Sequence, residues 1–490
     1  MPNLKPDRRS DTAETAALTQ GALTLGALAL AAAAGVAAVA AARALKPSQA
    51  RTDGDLNRRT GLAQLDGSPG RRYYTGYNLK RAVAIEDLRA MTHKRLPRFS
   101  LEYLEGGAED EETMARERQA LAEWRFIPRT LVDVSHRSLK TRILGQFAPM
   151  PLVVSPTGLN GVFRDRADTE LAQGALAAGV PFVQSTMSQD LATDVARAAP
   201  GVRHWWQLYV FGGDEVWQEI LRRVDRAGCE ALVITTNTQI FGNREWQDRT
   251  QATPNRLSVP SAIDAALHPG WFATTLNRGM PVFKNVVDLV PKDKRSFFAC
   301  ADWIRQHQPT SLSWDTIAKI RQRWTKPLIL KGILSLDDVR LALDSGVDGI
   351  VLDAHGGRQL DWTITALDIL PAARELVGDR MALYMSGGIR RGTDMLKAIA
   401  LGADAVWAGR APLYGLCAAG APGVTHALDI LKREATDAMG LLGVSSLSEL
   451  GPAYLCNVRD LGRLSPSIRA DLAASGRVEA GPDASGAKVN

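Results

Sequence analysis

PLILKGILSLDDVRLALDSGVDGIVLDAHGGRQLDWTITALDILPAARELVGDRMALYMSGGIRRGTDMLKAIALGADAVWAGR, residues 327–410, sets the architecture. Four short runs recur in it: PLILKG (327–332), GIVLDAHG (349–356), ALYMSGG (382–388) and AVWAGR (405–410). Each is apolar, rich in β-branched or aromatic residues, and ends in glycine or a polar group, as a buried parallel strand does. Toward the N-terminus four more runs share this form: PLVVSPT (151–157), PFVQST (181–186), HWWQLYV (204–210) and ALVITTNT (231–238). Amphipathic helical patterns separate most of them, among them DTELAQGALAAGV (168–180) and DEVWQEILRRVDRAGC (214–229), with glycine marking the helix ends. Eight such units in about 260 residues predict a (β/α)8 TIM barrel of the α/β class. A doubly wound open sheet is the competing reading. The stretch before the first strand predicts an N-terminal helical extension. The long segment from Gln239 to Ser311 reads as an insertion after strand four, a lid or docking element.

The rest of the chain is consistent with one large barrel plus appendages. Of its 490 residues, 45% are hydrophobic and 23% charged, which excludes wholesale disorder. Cys229, Cys300, Cys417 and Cys456 are far apart, so neither a disulfide scaffold nor a cysteine-type zinc module is expected. The net charge of +6 carries no dense Lys/Arg stripe with aromatics, so no nucleic-acid partner is expected. Residues 1–15 form a polar tail, and 16–42 a hydrophobic segment whose last 22 residues, Gly21 to Ala42, are uncharged. That length spans a bilayer core. The basic excess after it (Arg43, Lys46, Arg51, Arg58, Arg59) favours a cytoplasmic body on a membrane anchor. A cleaved export signal and a low-complexity leader are the other open readings. Residues 43–80 read as a linker, 81–472 as the folded body and 473–490 as a flexible tail.

In a barrel of this kind the chemistry sits at the C-terminal ends of the strands. The residues there are Pro156-Thr157-Gly158, Ser185-Thr186, Gln207, Tyr209, Thr235, Asn237, Lys331, Asp353, His355, Ser386 to Arg390 and Gly409-Arg410. SGGIRRG and AGR end strands seven and eight. Their glycines let backbone N–H groups approach an anion, and Arg390 and Arg410 add charge, which suits a phosphate. Lys331 at a barrel mouth requires an electron-rich partner. His355, with Arg358 three residues on and Arg244 after strand four, suits proton abstraction beside a bound carboxylate. No metal site is expected.

IVLDAHGGRQLD, LKG, SGGIRRGTDMLKAIALGADAVWAGRAPLYGL, LEYLEGGAEDEETM, SPTGLNG, WWQLYV and FGNRE together resemble the FMN-dependent α-hydroxy-acid oxidases and dehydrogenases, over about residues 90–460. LEYLEGGAEDE, SPTGLNG, LHPGW, RGMP and LYGLCAAG resemble the membrane-associated (S)-mandelate dehydrogenases in particular. The resemblance implies oxidation of a 2-hydroxy acid, mandelate- or lactate-like, with FMN as cofactor. It implies His355 as the base, Arg244 and Arg358 on the substrate carboxylate, and Tyr103 and Tyr209 against the substrate. Pro156, Thr157 and Gly158 would face flavin N5. Ser185, Gln207 and Thr235 would line the ring, and Lys331 would sit near N1 and O2, where a cation stabilises the reduced flavin. Gly387, Gly388, Arg390, Gly409 and Arg410 would hold the phosphate.

Three positions depart from the family. Asn237 stands where an Asp usually supports the histidine, Asp353-Ala354 where Ser-Asn precedes it, and Ser386 where an Asp bonds the ribityl chain. Two expectations follow. Either Asp353, two residues before His355 on a strand, supplies the missing carboxylate, or the base is weakened and the reaction altered. An Asp near Lys331 disfavours an anionic flavin and supports the second. The leader is too short for a fused haem domain. The anchor, together with the apolar WFATTLNRGMPVFKNVVDLVPKDKR stretch, suggests a membrane quinone as acceptor, with oxygen as the alternative. An ordinary lid with a buried face is the other reading of that stretch. A homotetramer is expected by resemblance. From another class, the chain could be a flavin- or phosphate-binding barrel without hydroxy-acid oxidation, such as an isomerase.

Overall fold

The computed structural model describes residues 72–459 except 254–255 and 276–280, so the segment read as an anchor, signal or leader lies outside the described residues. Eight parallel strands close into a barrel in chain order: β1 Leu152–Val154, β2 Phe182–Ser185, β3 His204–Leu208, β4 Ala231–Thr235, β5 Leu328–Ile333, β6 Gly349–Leu352, β7 Ala382–Ser386 and β8 Ala405–Ala408. β8 pairs with β1, with Val406 opposite Leu152 and Ala408 opposite Val154. A closed ring excludes the doubly wound open sheet.

The period of two explains why the runs read as continuously apolar. Val153, Val183, Trp205, Val233, Ile329, Val351, Tyr384 and Trp407 point into the barrel, while their neighbours Leu152, Phe182, Trp206, Leu232, Leu330, Ile350 and Leu383 join the larger core beneath the helices. Both faces are therefore dry. Trp205 and Trp407, 5.9 Å apart, and Tyr384 against Trp407 at 5.8 Å fill the interior, so the barrel is a packed plug and not a pore. Most strands stop short of their runs. Ser185, Gln207, Thr235, Lys331 and Ser386 are still paired at the ends of their strands, and the residues beyond most of them have left the ladder and form loops at the site.

Among the described residues three α-helices precede the barrel: α1 Ile85–Arg95, α2 Arg98–Glu105 and α3 Glu112–Glu123. Two further helices anchor this collar: α4, Ala167–Ala178, and α5, Arg410–Leu442, against which both α1 and α4 pack. α5 kinks at Ala419 and Gly420, where Gly420 has φ 65° and Pro422 follows.

Between β4 and β5 the chain forms short helices, including Val259–Ala266, Pro269–Thr275 and Phe297–Gln306, and a small hairpin of Gln251–Thr253 with Arg256–Leu257. In the apolar stretch from Trp271, the side chains of Trp271, Phe283, Val286 and Val290 are buried, as the ordinary-lid reading expects. Val259, Ile263 and Phe272 are instead exposed. Among the described residues, no helix is long and apolar enough to cross a membrane.

Candidate active site

A cavity of about 590 Å³ opens at the C-terminal ends of the strands, in the size range of small-molecule sites. Every residue expected to bind substrate or cofactor, and His355, lines it, whereas Thr186 and Asn237 at the same strand ends do not. Convergence of eight strand ends on one mouth brings together positions that are more than 300 residues apart in sequence, Tyr103 and Arg410 among them.

One wall is a hydrogen-bonded row across β2, β3 and β4. Ser185 Oγ donates to Gln207 Oε1 at 3.0 Å, and Gln207 Nε2 donates to Thr235 Oγ1 at 3.0 Å. The loop after β1, Pro156-Thr157-Gly158, is braced from behind. Asn160 Nδ2 donates to the Thr157 carbonyl at 3.0 Å and to Asp168 Oδ1 at 2.9 Å. From the collar, Tyr103 Oη reaches the Gly158 carbonyl at 3.0 Å, and its ring stacks on Phe163 at 5.8 Å. Tyr209 sits in the same wall, where burial pushes its hydroxyl well above the usual phenol range, so it stays a neutral donor.

His355 is held by Asn237. The amide donates through Nδ2 to the Asp353 carbonyl at 3.1 Å, so its oxygen faces the imidazole, and His355 Nδ1 lies 3.1 Å from Asn237 Oδ1. A carbonyl oxygen only accepts, so Nδ1 carries the proton and Nε2 keeps its lone pair. Burial, then the charges of Lys331, Arg244, Arg358 and Arg410, holds the imidazole pKa well below its ordinary value. The ring is therefore neutral at pH 7.

The carboxylate of Asp353 does not take over the support of His355. It forms an ion pair with Lys331 Nζ, both side chains being buried. The period-of-two argument fails because β6 ends at Leu352, and His355 itself has φ 56°, a left-handed turn that swings it off the strand. Lys331 thus meets its expected electron-rich partner inside the chain. We expect Asn237→Asp, which sets a carboxylate beside the imidazole, to raise its pKa and move the acid limb of the pH–rate profile upward. Asp353→Asn leaves that limb in place. Rapid-mixing pH profiles of both variants check this.

Arg244 and Arg358 stand together in one wall of the mouth. Arg244 donates to the Arg358 carbonyl at 3.2 Å and to Gln359 Oε1 at 3.1 Å. Arg358 donates to the Gly106 carbonyl and lies 5.0 Å over the Tyr103 ring. Among the described residues neither guanidinium pairs with a carboxylate. Burial and the neighbouring arginines push the Arg358 pKa well below the ordinary guanidinium value. Two uncompensated cations in one wall call for an anion.

At the opposite end, Gly387 (φ 114°) and Gly388 (φ 71°) form the turn after β7. Among the described residues the Arg390 guanidinium donates to the Ile389 carbonyl alone, and it lies 5.4 Å over the Tyr414 ring. Arg410 is differently occupied. Its guanidinium donates to the carbonyls of Leu104 at 3.1 Å, Gly356 at 3.0 Å and Gly106 at 3.3 Å. It ties the end of α2 to the loop after β6 while still presenting charge to the cavity. Ala108 N donates to the Gly357 carbonyl at 2.8 Å and completes this latch between collar and barrel.

Some lining residues have no counterpart in the sequence reading. Glu117 on α3 faces the Gly387–Gly388 turn, and Phe99, Phe163, Leu257, Phe297 and Ile304 wall the outer cavity. The charge-rich ETMARERQALAE reads as a solvated helix face, so nothing in it marks Glu117 as buried.

The donor set fits a flavin nucleotide. There is a positive-φ glycine turn with an arginine for a phosphate, an amide-hydroxyl row for a polar ring edge, a buried lysine, and carboxyl oxygens, Glu117 Oε1 and Asp353 Oδ1, that lack partners among the described residues. Fold and site together define a flavin-dependent oxidoreductase built on a TIM barrel.

The chain belongs to the FMN-dependent dehydrogenase family, whose sequence model matches residues 92–457, and FMN is its cofactor. It is 38% identical to (S)-mandelate dehydrogenase of Pseudomonas putida over 374 residues, covering 76% of this chain and 93% of that one. It is 36% identical to an L-lactate dehydrogenase of Caulobacter sp. (strain K31), covering 75% and 97% of the two chains. A crystal structure of a monotopic membrane (S)-mandelate dehydrogenase superposes with a TM-score of 0.73 at 37% identity, over 76% of this chain and 99% of that one.

Proposed function

We propose that this enzyme oxidises a 2-hydroxy acid to the 2-oxo acid, with a mandelate- or lactate-like substrate. The single observation that carries the reading is the neutral imidazole of His355 set beside two part-buried guanidiniums that, among the described residues, have no carboxylate of their own. FMN, when bound, supplies the two-electron acceptor.

The residues of the chain do the rest. Arg244 and Arg358 bind the substrate carboxylate through charge-assisted, bidentate hydrogen bonds. Tyr103 and Tyr209 contact the substrate from the collar and β3 sides. His355 Nε2 takes the proton released as C2 is oxidised, while Asn237 Oδ1 holds the Nδ1–H. The cations around the imidazole oppose its protonation. The arriving carboxylate offsets two of them, so substrate binding raises the basicity of His355 when it is needed. Lys331 and the loop Pro156, Thr157 and Gly158 would face the flavin ring, with Ser185, Gln207 and Thr235 along it. Gly387, Gly388, Gly409 and Arg390 would cradle the phosphate, Arg410 adding charge from its latch.

The electron acceptor in this reading is a membrane quinone, and the enzyme works as a homotetramer at the cytoplasmic face of the membrane. Two observations support membrane contact. The superposed mandelate dehydrogenase is a monotopic membrane protein. Val259, Ile263 and Phe272 of the insertion are exposed apolar side chains. Residues 21–42 would add an anchor.

The test is anaerobic. Purified yellow protein should bleach on addition of mandelate or lactate and recover its colour faster with a quinone analogue than in air. Yellow protein that no member of a 2-hydroxy-acid panel bleaches would favour an isomerase or binding barrel. Rapid recovery in air would assign an oxidase.

A further inference from the structure

We propose that Glu117 is a flavin ligand, its carboxyl group binding the polyol chain of FMN between the ring and the phosphate. The inference rests on FMN occupying the barrel mouth.

Glu117 comes from α3, outside the barrel, yet it is 4% exposed and lines the cavity. Its Oε1 has no hydrogen-bond partner among the described residues. A buried carboxyl oxygen without a partner is costly, and a ligand group in the cavity removes that cost. The approach is also built in. A Cβ on Gly387 would lie 2.5 Å from Glu117 Oε1, so only glycine lets this carboxyl reach the turn.

Position selects the polyol. The charges that act on Glu117 come from both ends of the cavity: Asp353 after β6, paired with Lys331, and Arg390 and Arg410 after β7 and β8. The lysine end suits the ring and the arginine end the phosphate, which leaves Glu117 facing what joins them. Ser386, one residue before Gly387, also lines the cavity, but its side chain is a single short hydroxyl.

The protonation state suits the same partner. Burial and Asp353 outweigh Arg410, Arg390 and the Gly388 amide, and the carboxyl pKa is pushed up to about 8. At pH 7 the group is a neutral acid, one donor and one acceptor for hydroxyls, and does not repel the phosphate beyond.

The experiment measures binding of FMN, riboflavin and lumiflavin, which lacks the polyol, to the apoprotein by fluorescence quenching. Glu117→Leu should weaken FMN and riboflavin alike, by about tenfold or more for a lost buried hydrogen bond, and leave lumiflavin unchanged. Glu117→Gln, a neutral isostere, should stay near wild type at pH 7. Wild-type affinity for FMN should fall as pH rises through about 8, whereas Glu117→Gln should show no such fall. Glu117→Leu binding FMN and riboflavin as tightly as wild type overturns the proposal, as does a loss confined to FMN. Should Glu117→Leu not fold, identical pH profiles for wild type and Glu117→Gln overturn it. Wild-type apoprotein that binds no FMN would instead overturn the cofactor assignment, so the two failures are separable.

Discussion

His355→Gln should slow anaerobic bleaching of the flavin by the 2-hydroxy acid roughly 10²–10⁴-fold, the span a positioned general base supplies. The substitution is chosen to keep volume and hydrogen bonding. A glutamine amide can still meet Asn237 Oδ1, which the imidazole reaches at 3.1 Å, so the wall need not collapse. Flavin content and visible spectrum should therefore match wild type, and substrate affinity should change little because both guanidiniums remain. Rapid-mixing absorbance gives the rate, and the pH profile gives the cause: the acid limb seen in wild type should vanish. That limb should lie well below the usual histidine range, since burial and four nearby cations depress the imidazole pKa. A variant that bleaches within a few-fold of wild type would remove His355 from the chemistry.

Arg358→Met should lower kcat/KM by about 10²–10³-fold, because a buried charge pair broken on one side costs roughly 3–5 kcal/mol. Arg358→Lys should recover only part of this, since an ammonium cannot reproduce the bidentate fork. A second readout moves in the opposite direction. Without substrate the Arg358 guanidinium is a buried cation beside Arg244 and Arg410, and its depressed pKa reflects that repulsion. Removing it should raise the melting temperature of substrate-free protein, even as the stabilisation by an added 2-hydroxy or 2-oxo acid is lost. Unchanged stability with a large kinetic loss would mean that the Gly106 and Tyr103 contacts already neutralise the cation.

These residues were legible because the fold is repetitive. Eight runs with the same apolar body and polar tail favour a closed barrel over an open sheet, and in a barrel their tails meet at one mouth, so Ser185, Gln207, Thr235, Lys331 and Arg390 could be named from linear sequence. What stayed hidden depends on a side chain's direction. Asp353 and His355 share a face only while the strand lasts, and β6 ends at Leu352, before either of them. Arg410 reads as a phosphate ligand, but the carbonyls of Leu104, Gly106 and Gly356 use most of its donors. Glu117 looks solvated amid a charged helix because burial by another element leaves no periodic trace in its own. The stretch from Trp271 reads as apolar, and only packing separates buried Trp271 from exposed Phe272.

The latch between collar and barrel limits how this enzyme can be re-engineered. Gly106 receives hydrogen bonds from both Arg358 and Arg410, one from the substrate end and one from the phosphate end, and Gly357 receives Ala108 N. Grafting the collar of a cousin onto this barrel would therefore disturb two anion-binding ends at once, however well the graft matched in hydrophobicity. Chimaeras with crossover points before α1 or after β8 should inherit specificity cleanly. Those cut between Gly106 and Met150 should lose grip on nucleotide and acid together.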